Sequence, residues 1–339
     1  MTASPADISS ATQWQDLTDV LTPDSTGWAH PGMAYDDGTF LTTDALEPRV
    51  IAFDPTGATS WSVAVPAREV HGIAVDGDTL WLADPGNKEC RGDDGNYTTH
   101  AARDGGQVLA IGRDGHVRAR IGRPDLPIYR EKVFRPTSVV AADDIWVADG
   151  YGADLVHRYS RSGTLLGTIG LGDVDLDNPH SIAWDERRGA RLLIADRGHS
   201  RILALDPQSA DVVAVIGQGE VDRPSGMTVW RDHLVVADLH GRVLVFDAED
   251  RLVVHLGAGD SAALDREGWP NAVRAGVTVR PDLSPGAFNA PHDVAVSPDG
   301  TLVVCEWMIG GRLTALDLRA LLATPVNPAT ITPERGPGQ

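Results

Sequence analysis

The chain has 339 residues, enough for two ordinary domains or for one large closed β-structure. Its 48 acidic residues against 29 basic ones give a formal charge of −19, which repels phosphate backbones and anionic lipid and so excludes nucleic acid and membrane surfaces as expected partners. The two cysteines, Cys90 and Cys305, are too few for a disulfide-stapled scaffold and wrongly spaced for a zinc ribbon, and are expected to be free thiols.

Residues 1–12 are expected to fray, and "MTASPADISSATQWQD" lacks the basic-then-apolar layout of a secretion signal. With no run of about 18 apolar residues, the chain reads as soluble and cytoplasmic. From there one unit recurs: a strand of the form "xxVAVD", a turn, "LWVADxG", a second turn, then "RVLxFDxxG" and "xxxIG". The units begin near Pro31, Val70, Pro136, Pro179, Pro224 and Pro291. Each offers about four strands of period two joined by hairpin turns such as "DGDT", "RSGT" and "SPDG". Only "LTALDLRALLA" near the end has helical periodicity.

This pattern predicts an all-β chain: a six-bladed β-propeller of four-stranded antiparallel blades around a central channel, with its sheet edges protected by closure of the ring. It spans residues 13–322 as a single domain, followed by a fraying proline-rich tail, 323–339. Closure calls for one blade built from both chain ends. "QWQDLTDVL" (13–21) is expected to supply the outer strand of the sixth blade beside "RLTAL" (312–316).

Aligned on their first strands, the units place His71, His180 and His292 in one column, occupied elsewhere by Pro31, Thr137 and Ser225. Histidine therefore marks alternate blades, a third of a turn apart, at the point where each innermost strand opens onto the channel. Three imidazoles converging on an axis, with a fourth position open, are the ligand set of a catalytic zinc site. The remaining histidines, including His30, His100, His157 and His199, lack the pattern and are read as surface or turn residues. The repeated aspartates Asp84, Asp149, Asp196 and Asp238 end the second strand of their units, where a carboxylate accepts bonds from turn amides. The start of strand one and the end of strand two lie on the same face of the ring. Tyr151, Arg197 and Glu306-Trp307 are therefore expected to face the metal, and a tyrosine beside a dication and an arginine is suited to act as a base.

The set "VHGIAVD", "RPTSVVAADDIWVADGYG", "NPHSIAWDERRGARLLIADRGHSRI" and "APHDVAVSPDGTLVV" resembles the peptidyl-α-hydroxyglycine α-amidating lyases, within the NHL-repeat propellers, over roughly residues 28–318. The resemblance implies an axial zinc held by His71, His180 and His292, with Tyr151 as the base and Arg197 lining the site. It also implies a structural calcium in the channel, bound by Asp293 and by the backbone carbonyls of Met33 and Ile73. The implied reaction splits a carbinolamide into a carbonyl compound and a free amide. One departure is clear: where the family has a further substrate-contacting arginine on the first blade, this chain has Asp44-Ala45, with Arg49 a few residues on. That departure points to a different, small substrate.

Two insertions, 86–106 and 257–289, emerge on the metal face and are expected to shape the pocket as lids or specificity elements, with Trp269, Tyr97 and Tyr129 as candidate substrate contacts. Two other functions suit the same sequence. One is a zinc-dependent hydrolase or hydratase acting on a small ester, lactone or amide; the other is a non-catalytic NHL propeller used as a binding scaffold.

Overall fold

Period-two alternation and a tight turn after every strand fold each repeat into a four-stranded antiparallel sheet. The computed structural model describes residues 6–8, 14–21, 26–44, 46–99, 104–172, 174–257, 264–284 and 286–323, and in it six such sheets surround one axis. The first strands are Met33–Asp36, Gly72–Asp76, Ser138–Ala141, Pro179–Asp185, Pro224–Trp230 and Pro291–Val296. Each lies beside the first strand of the next blade, and the sixth meets the first. In the sixth blade Gln15–Asp16 pairs antiparallel with Arg312–Asp317, Gln15 opposite Ala315 and Asp16 opposite Thr314, so both chain ends share that sheet. Ala6–Ile8, inside the segment expected to fray, adds a fifth, parallel strand to blade five beside Leu252–Leu256. The remainder of 1–12 and residues 324–339 lie outside the described residues. The helical pattern near the end resolves into that third strand of blade six followed by the short helix Leu318–Ala323. No helix among the described residues is long and apolar enough to cross a membrane.

The apolar core is divided into six clusters, one at each interface between neighbouring blades. Phe40 and Phe53 of blade one meet Val303 and Leu313 of blade six, and Leu193 and Ile202 of blade four meet Leu234 and Phe246 of blade five. Burial between blades is thus the main stabilising term, and it leaves the axis free for polar chemistry. The repeated aspartates do what their position dictates: Asp84 accepts from the amides of Arg68, Glu69 and Gly86, and Asp238 from those of Asp222 and Arg223. Each carboxylate pins the segment that leads into its blade's first strand.

At the far end of the first strand of blade four, Asp185 is fully buried between Arg187 (2.9 Å) and Arg191 (2.5 Å), both of which also reach Asp250 of blade five. Burial alone would raise the Asp185 pKa, but Arg187 leads the interactions that hold it below the usual carboxylate range. Asp185→Ala leaves two buried guanidinium groups to share the Asp250 carboxylate, one positive charge in excess, so a loss of about 3–5 kcal/mol of unfolding free energy is expected. Urea melting measures it, and a loss under about 1 kcal/mol would show that water replaces the carboxylate without penalty.

Candidate metal centre

Blades two, four and six each open on a histidine, and the ring brings the three together. The centroids of His71, His180 and His292 are 4.7–5.0 Å apart, and one nitrogen from each lies within 4.8 Å of the others. All three side chains are buried and tethered alike. Nδ1 of His71 donates to the Thr137 carbonyl (2.7 Å), that of His180 to the Ser225 carbonyl (3.0 Å), and that of His292 to the Pro31 carbonyl (2.9 Å). A carbonyl only accepts, so this network assigns the proton to Nδ1 and leaves each Nε2 with an inward lone pair. Thr137, Ser225 and Pro31 hold the histidine column in blades three, five and one, so the odd blades supply the tethers for the even blades' ligands. Gly72 permits the close approach, since a Cβ there would sit 2.7 Å from the Thr137 oxygen.

Among the described residues these three lone pairs have a single donor between them. Tyr151 Oη lies 2.8 Å from His180 Nε2 and 3.2 Å from His71 Nε2; one hydroxyl proton serves one acceptor at a time, and His292 Nε2 is buried with no partner. An unsatisfied buried acceptor costs about 1–3 kcal/mol, and a cation at the point of convergence satisfies all three. Burial first, then neighbouring positive charges and the other imidazoles, holds all three pKa values well below the ordinary histidine value. The rings are therefore neutral and able to ligate. The donor set fits a metal ion.

Two cavities of about 300 Å³ each lie at this cluster: all three rings line the first, and His292 lines both. One is the central channel, which Met33, Ile73 and Asp293 line. Asp293 accepts from the amides of Met33 (2.8 Å) and Val294 (2.9 Å), and burial pushes its pKa up to about 7. The other cavity is a chamber on the mouth side, lined by Lys88, Arg135, Tyr151, Arg197 and Trp307, with His30 and His292 completing the wall. Arg197 donates to Ser225 Oγ (2.6 Å) and stands close enough to Tyr151 to interact with its hydroxyl.

Trp307 belongs to a run of rings around the mouth. It stacks on Trp28 (5.4 Å) and meets Trp269 edge-on (5.7 Å), while Tyr97 meets Trp28 edge-on (5.2 Å). The two insertions clasp each other there: Asn96 in the first donates to the Gly276 carbonyl (3.0 Å) and accepts from the amide (3.0 Å) and hydroxyl (2.9 Å) of Thr278 in the second.

Three expected substrate contacts lie elsewhere. Glu306 is fully buried, accepts from the amides of Asn289 (2.5 Å) and Ala290 (3.0 Å) and pairs with Arg312 (3.2 Å). It is the sixth blade's version of the strand-ending aspartate and faces away from the chamber. Tyr129 is buried between blades two and three, its hydroxyl 2.6 Å from both Asp149 Oδ2 and His157 Nε2; burial raises the Asp149 pKa to about 7. His157 is thus a core residue and not a surface one. Arg49 pairs with Glu47 (3.7 Å) and does not line the chamber.

His30 also corrects its surface assignment. It is buried, with its ring 6.0 Å from that of His71 and 5.8 Å from that of His292. Burial, then the Lys88 charge, lowers its pKa to about 4. Lys88, Glu69, Arg135 and Trp28 were not marked by any sequence pattern. His30 carried one signal: it stands one residue ahead of the histidine column.

No family model matches the chain, and no curated protein matches it in sequence. Among solved structures, a structural-genomics protein of unknown function from Bacteroides thetaiotaomicron VPI-5482 is similar at 13% identity and a TM-score of 0.60, over 90% of this chain and 75% of that one. Virginiamycin B lyase from Staphylococcus aureus is similar at 12% identity and a TM-score of 0.54, over 90% and 98%. The WD40 propeller domain of Doa1 is similar at 8% identity and a TM-score of 0.52, over 85% and 79%. At these identities what is shared is the β-propeller fold, which hosts many unrelated activities.

Proposed function

We propose that the chain is a zinc-dependent lyase that cleaves the C–N bond of a small carbinolamide. The observation that carries this reading is the set of three buried imidazoles, each fixed through Nδ1, whose Nε2 lone pairs converge beside one tyrosine hydroxyl, next to a chamber that Tyr151 and His292 help to line. Three neutral imidazoles with space for a reactant suit zinc. When bound, the ion supplies Lewis-acid polarisation of the substrate hydroxyl.

The chain's own residues do the rest. His71, His180 and His292 would hold the ion through their Nε2 atoms. Tyr151, whose oxygen already lies within 3.2 Å of two of the ligating nitrogens, takes the hydroxyl proton. The C–O bond becomes C=O, the C–N bond breaks with its electron pair going to nitrogen, and Tyr151 returns the proton to that nitrogen, leaving an aldehyde or ketone and a free amide. Arg197 and Lys88, the latter 3.9 Å from the centre of the Tyr151 ring, supply positive charge near the phenol during the proton transfer. In the same reading Asp293, with the carbonyls of Met33 and Ile73, holds a structural calcium in the channel.

Product analysis tests the chemistry. The zinc-loaded protein, offered an N-acyl-α-hydroxyglycine and a small ester in parallel, is expected to release aldehyde and free amide from the first and leave the second intact. Ester cleavage without carbinolamide cleavage would replace the lyase with a zinc hydrolase. Protein that purifies without stoichiometric zinc and turns over neither compound would leave only the binding scaffold.

A further inference from the structure

The metal does not account for the charge of the chamber wall. In a chain of net charge −19, the chamber is lined, among the described residues, by Lys88, Arg135 and Arg197 and by no Asp or Glu. The nearby carboxylate is that of Glu69, 3.7 Å from Lys88 Nζ and 3.2 Å from His30 Nδ1. This carboxylate sits on the Lys88 and His30 side of the wall. Lys88 is nonetheless almost fully buried, and Arg197 Nε is buried with no acceptor. Like charges gathered in a low-dielectric cavity of about 300 Å³ repel each other, and Arg197 Nε keeps an unmet demand for an acceptor among the described residues. Surface arginines elsewhere in the molecule meet carboxylates instead, as Arg251 meets Asp247 and Glu249.

We propose that the mouth chamber is an oxyanion-binding subsite, in which Lys88 and Arg135, with Arg197, receive a carboxylate or phosphate carried by a small substrate. The subsite uses residues of blades two and three in place of the first-blade arginine that this chain lacks. The cavity volume limits the ligand to a small molecule, and Trp307, backed by Trp28, gives its uncharged part an apolar face. What lies next to the anion rests on the lyase reading; the anion site itself rests on the chamber wall alone.

The test is isothermal titration of the full chain, at low ionic strength, with sodium propionate and with inorganic phosphate. Wild type, Lys88→Met, Lys88→Arg, His180→Ala and the exposed control Arg251→Met are compared. Saturable binding of either anion is expected, weakened at least tenfold by Lys88→Met, largely restored by Lys88→Arg and unchanged in Arg251→Met. The tighter ligand identifies the oxyanion as carboxylate or phosphate. If Lys88→Met fails to fold, Arg135→Met takes its place. Absence of saturable binding, or a Lys88→Met affinity within twofold of wild type, overturns the proposal. Binding lost in His180→Ala but kept in Lys88→Met places the anion on the metal, which overturns this proposal and leaves the metal reading intact. Binding kept in His180→Ala supports the subsite, and if the wild type also holds no zinc when supplied with it, the subsite stands and the lyase is removed.

Discussion

Replacing His180 with alanine is expected to empty the metal centre while leaving the ring folded. His180 Nε2 is one of three converging donors, and its Nδ1 bond to Ser225 orients it. Loss of an orienting partner alone typically lowers metal affinity 10–100-fold, so loss of a ligand is expected to lower zinc occupancy and turnover by more than about 100-fold. The fold should survive, because the six apolar clusters that hold the blades together do not include His180. A thermal melt with and without zinc separates the two effects. Wild type gains stability from the ion, about 2.7 kcal/mol at a hundredfold excess over the dissociation constant, and the variant gains none. Normal zinc content with normal turnover in the variant would refute the axial site.

Tyr151→Phe keeps the ring and removes only the oxygen. If Tyr151 takes the substrate's proton, turnover falls by about 10²–10⁴-fold, the usual contribution of a positioned acid or base. Zinc content is expected to stay unchanged, because phenylalanine leaves all three Nδ1 tethers in place. That combination distinguishes a proton acceptor from a residue that merely shapes the centre. A rate within about threefold of wild type would remove Tyr151 from the reaction.

The propeller was legible because two regularities coincide in the chain, the period of two within strands and the return of one unit six times. The histidine column was legible for a related reason: a position that recurs in every unit has a known place around the axis. Residues whose place depends on something other than the repeat were not legible. Lys88 sits in the first insertion, and its direction is set by Glu69 and by the Tyr151 ring. His30 reaches the centre because blade one meets blade six, and its offset by one residue hid it from the alignment. Tyr129 sits in the short turn Pro127–Arg130, whose inward fold directs the hydroxyl to Asp149. Glu306 was misread because "CEW" was taken as lying past the strand end, whereas Glu306 occupies the place of Asp196 and Trp307 that of Arg197. On that register Trp307 belongs in the chamber and Glu306 behind it.

The tether from His292 to the Pro31 carbonyl joins residues 261 positions apart and crosses the seam where the two chain ends meet. During synthesis the amino-terminal blades emerge first, with two of the three imidazoles, but the third histidine and its anchor come together only once blade six can close on blade one. Assembly of the three-histidine cluster is therefore a late event in biogenesis, and a chain stopped short of blade six carries the first two rings without the third.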